Sequence, residues 1–429
     1  MHSFQYQNGH LRCEDVDLES LADTHGTPLY VYSSATILDH FRRLDAAMAE
    51  LDHQICYAVK ANSNLAVLNL LAKEGCGFDI VSGGELFRVQ KAGGLAAKCT
   101  FAGVGKTTEE IEYGLREGLY SFNVESEAEL LRINEVAQRL NLRAPVAIRV
   151  NPNVAAAGAH KYISTGKSDN KFGIDIDRIR DVYAAASKLP HLHLRGVQMH
   201  IGSQITKSEP FATAVSKMLP LVTDLQRDHG IEFFSIGGGL GIVYHDSIGA
   251  GQEAWWKQEE SPAITIEEYA KSVVPLLKNL PVKILFEPGR LIVGNAGVLL
   301  TRVHYVKQSA SKKFVIVDAG MNDLIRPALY QGFHEIVPLR EAEGVITERI
   351  DLVGPVCESG DFFAQDRDVA PLAQDQVVAL MSAGAYGFAM ASNYNSRPRP
   401  AEILVTGSEA KVVRPRETFD DLIAGEITF

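Results

Sequence analysis

Between about residues 34 and 290, eight short apolar runs alternate with stretches of helical period, and no other feature restricts the fold of this chain so strongly. The runs are QICYAVK, GFDIVS, CTFAG, SFNVES, PVAIRV, LRGVQMH, FFSIGGG and KILFEPG. The helical stretches include TTEEIEYGLREG, SEAELLRINEVAQRL and TIEEYAKSVVPLLKNL. Nearly continuous apolar runs suit strands buried on both faces, and helices between them make the strands parallel. An open, doubly wound sheet competes with a closed one, because local patterns do not show closure. Eight such units over about 250 residues favour an α/β fold with a closed (β/α)8 TIM barrel.

Beyond residue 290 the texture changes. GVLLTRVHYV, KFVIVDAGM, ERIDLVGPV and QVVALMSAGAYGF are β-rich with few helical periods between them, which implies a C-terminal all-β barrel or sandwich domain. The N-terminal segment through VYSS at 31–34 is strand-like and is expected to pair with that domain. The expected division is therefore a barrel over 34–290 and a β-rich domain built from 1–33 with 291–429. Two long connections, 151–175 and 240–262, read as lids or interface segments.

A net charge of −11 with no basic run argues against a nucleic-acid groove or an anionic membrane surface and leaves small molecules as partners. No apolar run approaches the roughly 20 residues of a membrane span, and MHSFQYQNGH lacks a secretory pattern, so a cytoplasmic protein is expected. Cys13, Cys56, Cys76, Cys99 and Cys357 form no CxxC pair and no zinc spacing; neither a disulfide framework nor a metal site is expected.

Barrel enzymes carry their chemistry at the carboxyl ends of the strands. Read there, the runs end in Lys60 within YAVKAN, Asp79 leading into SGGE, Arg149, His200 within HIGSQ, Gly237, Gly238 and Gly239, and Glu287 within EPGR. A lysine at a strand end is ordinarily a solvated side chain, and a glycine triplet is as readily a tight turn as an anion cradle. Position favours the cradle, since barrel phosphate sites form after strands seven and eight, where the triplet, Gly289 and Arg290 fall. A lysine facing such a site suggests a Schiff base with a phosphorylated aldehyde, pyridoxal 5'-phosphate. Glu287 then suits the pyridine nitrogen, His200 offers a ring to stack, and Ser203 adds a phosphate hydrogen bond. Taken alone, His200 reads more readily as a satisfied core histidine than as a stacking ring. A carboxylate at the ring nitrogen favours carbanion chemistry without choosing among decarboxylation, racemisation and transamination.

Together YAVKAN, FDIVSGGE (78–85), HKYISTGKSDNKFGI (160–174), HIGSQ, IGGGLG (236–241), EPGR, CESGD (357–361) and GAYG (384–387) resemble the fold-type III pyridoxal phosphate decarboxylases, and within them the diaminopimelate decarboxylase family. The resemblance implies decarboxylation of meso-2,6-diaminopimelate to L-lysine, with Lys60 carrying the cofactor and Cys357 as proton donor. It further implies that Tyr386, with Gly239 and the EPGR loop, contacts the cofactor. Arg290, Arg326 and Tyr330 are implied to hold the distal carboxylate, and Glu358 the remote ammonium. Arg326 and Tyr330 are four apart in RPALY, a spacing that one helical turn would bring to one face. A homodimer with shared active sites, in which Cys357 and Glu358 reach the partner's barrel, is also implied. The competing readings are a decarboxylase of ornithine or arginine, whose substrates lack the distal carboxylate; an alanine racemase, which Glu287 argues against; a cofactor-free Schiff-base aldolase; and a non-catalytic pyridoxal phosphate-binding relative.

Overall fold

The computed structural model describes residues 1–154, 171–257, 263–342 and 344–429. Two compact units emerge: one from His40–Ile242 and Pro262–Leu291, the other from Met1–Asp39, Val243–Ser261 and Ile292–Phe429.

In the first unit all eight apolar runs form parallel strands: β1 His53–Ala58, β2 Gly77–Ile80, β3 Cys99–Phe101, β4 Ser121–Val124, β5 Ala144–Asn151, β6 Leu192–Met199, β7 Phe233–Ser235 and β8 Lys283–Phe286. Each pairs with the next, and β8 pairs back onto β1 through Ile284–His53 and Phe286–Ile55, so the sheet closes. The closed barrel is the expected architecture. The helices are set by local chemistry. Thr107 with Glu110 and Thr265 with Glu268 form capping boxes, and the Ser126 side chain caps the helix Glu127–Leu140. Ile266–Leu277 buries Ile266, Tyr269, Ala270, Val273, Val274 and Leu277, a stripe at helical spacing that packs toward the sheet, where Tyr269 meets Phe286 edge to face.

Side chains alternate along each strand, and the register decides which enter the barrel. Cys56, Ala147, Phe233 and Leu285 pack into a buried plug. Gly196 must be glycine because a Cβ there would lie 2.5 Å from the Phe233 ring. Two residues further along, the same inward face carries Arg149 on β5, Gln198 on β6, Ser235 on β7 and Glu287 just past β8. Asp79, two beyond Gly77 on β2, belongs to this layer. The chemistry-bearing layer thus lies directly above an apolar floor.

The second unit is β-rich. Its main sheet runs Phe362–Val369, Glu348–Val353, Lys313–Val317, Gly297–Gln308, Leu29–Ser33, Ala401–Thr406 and Glu409–Arg414 in spatial order, with Val377–Leu380 also on Gly297–Gln308 and Ile336–Pro338 beside it. The N-terminal strand Leu29–Ser33 sits antiparallel to Gly297–Leu300 and parallel to Ala401–Val405. Residues on either face of this sheet fill two apolar clusters, one around Leu29, Val31, Val298 and Ile403, the other around Tyr30, Tyr32, Val315 and Leu352. Within the 240–262 connection, Ser247–Ala250 is a single helical turn and Glu253–Lys257 a 3-10 turn, and both belong to this unit. Residues 155–170 and 258–262 of the expected lids, and with them most of HKYISTGKSDNKFGI, lie outside the described residues.

Candidate active site

β1 stops at Ala58, two residues before the end its apolar run suggests, and Val59–Ala61 form a 3-10 turn that carries Lys60. The turn is fixed by the neighbouring loop: Ala58 N–H donates to the Pro288 carbonyl at 2.9 Å. An added Cβ at Gly289 would stand 3.0 Å from Ala61 and 3.1 Å from Ala58, so EPGR packs directly on YAVKAN. Lys60 Nζ lies 2.8 Å from Asp79 Oδ2; the lysine is partly exposed and the aspartate buried.

Glu287 is buried at the end of β8 and is held from three strands. Ser235 Oγ donates to Oε1 at 2.7 Å, Gln198 Nε2 to Oε2 at 2.9 Å and Asn123 Nδ2 to Oε1 at 3.3 Å. Burial pushes the Glu287 carboxyl up, and the Asp79 charge adds to that, while Ser235, Gln198 and Lys60 oppose them. His200 accepts at Nδ1 from the Gly238 N–H at 3.3 Å. Burial, then the Arg149 and Lys60 charges, hold its imidazole well below the usual histidine range, so the ring at this mouth is neutral.

The triglycine is bare because backbone surrounds it. A Cβ on Gly237 would run into the Met199 carbonyl oxygen, on Gly238 into that of Glu287 and on Gly239 into that of Gly202. Gly237 and Gly239 also take positive φ, +74° and +107°. The turn and cradle readings are therefore compatible: the tight turn is what leaves this stretch without side chains. Arg290 is buried nearby with Nη2 3.4 Å from Ser203 Oγ. Arg149 is paired with Glu125 at 2.8 Å and stacks over Phe172 at 4.7 Å.

In the second unit, Arg326 and Tyr330 open and close the short helix Arg326–Tyr330. Arg326 is buried over the Tyr244 ring at 4.6 Å, with Nη1 2.6 Å from His334 Nε2. His334 Nδ1 lies 2.8 Å from the Met381 carbonyl and donates to it, which leaves Nε2 as the acceptor for Arg326. Cys357 and Glu358 are exposed on a loop closed by buried Asp361, whose carboxylate accepts from Val356 N–H and Met321 N–H, each at 2.6 Å. Tyr386 adopts φ +55°, between Gly384 and Gly387, where added Cβ atoms would strike the Val293 and Ala383 carbonyl oxygens.

A sequence profile for the "Pyridoxal-dependent decarboxylase, pyridoxal binding domain" matches residues 34–294. The chain is 50% identical over 427 residues to the diaminopimelate decarboxylase of Pseudomonas aeruginosa, covering 99% of both chains. The crystal structure of diaminopimelate decarboxylase from Helicobacter pylori complexed with L-lysine superposes with a TM-score of 0.88 at 39% identity, over 95% of this chain and 98% of that one. The crystal structure of diaminopimelate decarboxylase from M. jannaschii in co-complex with L-lysine gives 0.90 at 36% identity, over 99% of this chain and 98% of that one. The chain belongs to the diaminopimelate decarboxylase family.

For a diaminopimelate decarboxylase the donor set fits a phosphorylated pyridine aldehyde: an accessible amine, a stretch of backbone cleared of side chains, a neutral imidazole and a buried carboxyl. The structure brings Lys60, Asp79, His200, Ser203, Gly237, Gly238, Gly239, Glu287, Gly289, Arg290 and Arg149 to the carboxyl end of one barrel, and it holds Arg326, Tyr330, Cys357, Glu358 and Tyr386 in the other unit. Sequence reasoning missed Asn123, Gln198, Ser235, Glu125, His334 and Asp361. The inward register of β4, β6 and β7 was the available signal for the first three. Glu85, in the SGGE turn, was also missed; burial raises its carboxyl to about 7 against the Val81 N–H and the Lys60 charge. Among the described residues, no cluster of His, Cys, Asp or Glu could hold a metal ion and no helix is long and apolar enough to cross a membrane.

Proposed function

We propose that this chain is a pyridoxal 5'-phosphate-dependent carboxy-lyase that removes CO2 from meso-2,6-diaminopimelate to give L-lysine, the last step of lysine biosynthesis. The observation that carries the proposal is the placement of Lys60 and Glu287 with the triglycine turn above one apolar floor, in a member of this family. When bound, the cofactor supplies an electron sink for the pair released from Cα.

Lys60 is the amine that would hold the cofactor, and Asp79, 2.8 Å from its Nζ, orients it. Gly237, Gly238 and Gly239, with Ser203, Gly289 and Arg290, receive the phosphate through N–H, O–H and guanidinium donors. Glu287 would keep the ring nitrogen protonated, neutral His200 would offer its ring for stacking, Tyr386 would contact the cofactor, and Arg149, paired with Glu125, sets its charge beside His200. Cys357 Sγ delivers the proton to Cα after CO2 departs. Arg326, Arg290 and Tyr330 bind the distal carboxylate, and Glu358 binds the remote ammonium. A guanidinium pair discriminates strongly against substrates lacking that carboxylate. The division of labour is a cofactor-binding barrel over 34–290 and a β-rich part, 1–33 with 291–429, that completes the site and the interface of a cytoplasmic homodimer. The exposure of Cys357 and Glu358 supports their action outside their own unit's core.

Supplying meso-diaminopimelate, ornithine and arginine separately with pyridoxal phosphate and measuring CO2 tests the proposal. Release is expected from diaminopimelate alone and is expected to vanish, with the visible absorbance of bound cofactor, in Lys60→Ala. Release from ornithine or arginine at comparable rates would reassign the substrate.

A further inference from the structure

Glu287 is held by more buried polar groups than packing asks for. Asn123 and Gln198 each turn an amide N–H toward it from β4 and β6, while Ser235 donates its hydroxyl from β7. In doing so both amides leave their own oxygens, Asn123 Oδ1 and Gln198 Oε1, buried and without a hydrogen-bond partner among the described residues. An unmet buried carbonyl is unfavourable, and apolar side chains would serve the barrel core better unless the donors are needed.

We propose that Asn123, Gln198 and Ser235 are positioning residues that hold Glu287 as an oriented carboxylate and so keep the cofactor's ring nitrogen protonated. This rests on the function proposed above. Other groups facing Glu287 are Asp79 from β2, which repels its charge, Lys60 from the turn after β1, which attracts it, and Cys56 from β1, whose thiol burial keeps protonated. Burial and Asp79 together favour the neutral acid; the three donors with Lys60 favour the carboxylate. A neutral Glu287 would direct its O–H at one of the two amide oxygens and offer no counter-charge to a pyridinium nitrogen, and the electron sink would weaken.

The test uses holoenzyme of the wild type, Ser235→Ala, Gln198→Leu and Glu287→Gln. In each, kcat and the visible spectrum of bound cofactor are followed against pH. Loss of one donor to a buried carboxylate is expected to move the acid limb of kcat upward by about one pH unit. Activity then falls about tenfold at neutral pH and recovers in alkali, with the spectral titration moving the same way. Glu287→Gln recovers at no pH. Ser235→Ala removes a single oxygen, so it keeps the test intact if Gln198→Leu fails to fold. An unmoved profile and spectrum in Ser235→Ala, or a loss equal at every pH, overturns the proposal while leaving the enzyme reading in place. A wild type that binds no cofactor overturns both.

Discussion

Arg326 shows how a single residue can be committed to one task. Its guanidinium lies buried between the Tyr244 ring and His334 Nε2, an arrangement that fixes the head group through an imidazole acceptor and an aromatic face. Arg326→Ala is expected to raise KM for diaminopimelate about 10–100-fold, the range for losing a charge-assisted pair, while the cofactor's dissociation constant stays within about twofold. Steady-state kinetics beside a fluorescence titration of cofactor check this; an unchanged KM would show that another group binds the distal carboxylate. At this scale the sequence was legible where chemistry sits at a strand end. Lys60, Asp79, His200 and Glu287 could be found by reading eight termini. The partners of Glu287 were harder to find: Ser235, Gln198 and Asn123 lie 52, 89 and 164 residues away, and only the inward register of their strands pointed to them. His334 and Asp361 escaped because each acts within a short segment, on Arg326 eight residues before His334 and on Val356 five before Asp361, where no hydrophobic period marks the partner.

At the scale of elements, the apolar runs identified all eight strands but, PVAIRV apart, overran their carboxyl ends. The run QICYAVK continues past Ala58 because Val59 is buried, yet the backbone has already turned, drawn by the bond from Ala58 N–H to Pro288. Periodicity sees burial, not hydrogen-bond direction, so a buried 3-10 turn looks like more strand. The triglycine is the opposite case: its sequence is unmistakable, but its cause is the crowding of three carbonyls around it. Gly238 is the cleanest probe, because its φ is not in the left-handed region and only the Glu287 carbonyl blocks a Cβ. Gly238→Ala is expected to displace the EPGR loop, lower stability by about 1–3 kcal/mol and weaken cofactor binding at least tenfold. Thermal unfolding and cofactor titration measure the two effects, and retention of wild-type cofactor affinity would show that the loop is not part of the cradle.

For the whole molecule, the buried acids set how stability depends on pH. Burial raises the carboxyls of Glu85 and Asp323 to about 7, offset by N–H donors from Val81 and Gly320. Glu287, Glu335 and Asp361 are raised too, each chiefly by burial. In the unfolded chain such groups ionise near pH 4, so between about pH 4 and 7 the folded protein retains protons that the unfolded chain releases. Stability contributed this way is complete below the unfolded value and lost as pH rises through the folded one. His200 acts oppositely, because its depressed value makes the unfolded chain the better proton acceptor below about pH 6.5. Carboxyls held low, such as Glu417 at about 2, are ionised in both states above about pH 5.5 and add no slope between there and pH 8. The raised acids outnumber the one imidazole. The cofactor-free protein is therefore expected to unfold at a temperature on the order of 5 °C lower at pH 8 than at pH 5.5. Loading the cofactor should reduce that difference, since Glu287 is then ionised against a ring cation at both pH values. Calorimetry of free and loaded protein at the two pH values measures both quantities; a slope that loading leaves unchanged would mean that Glu287 does not face the ring.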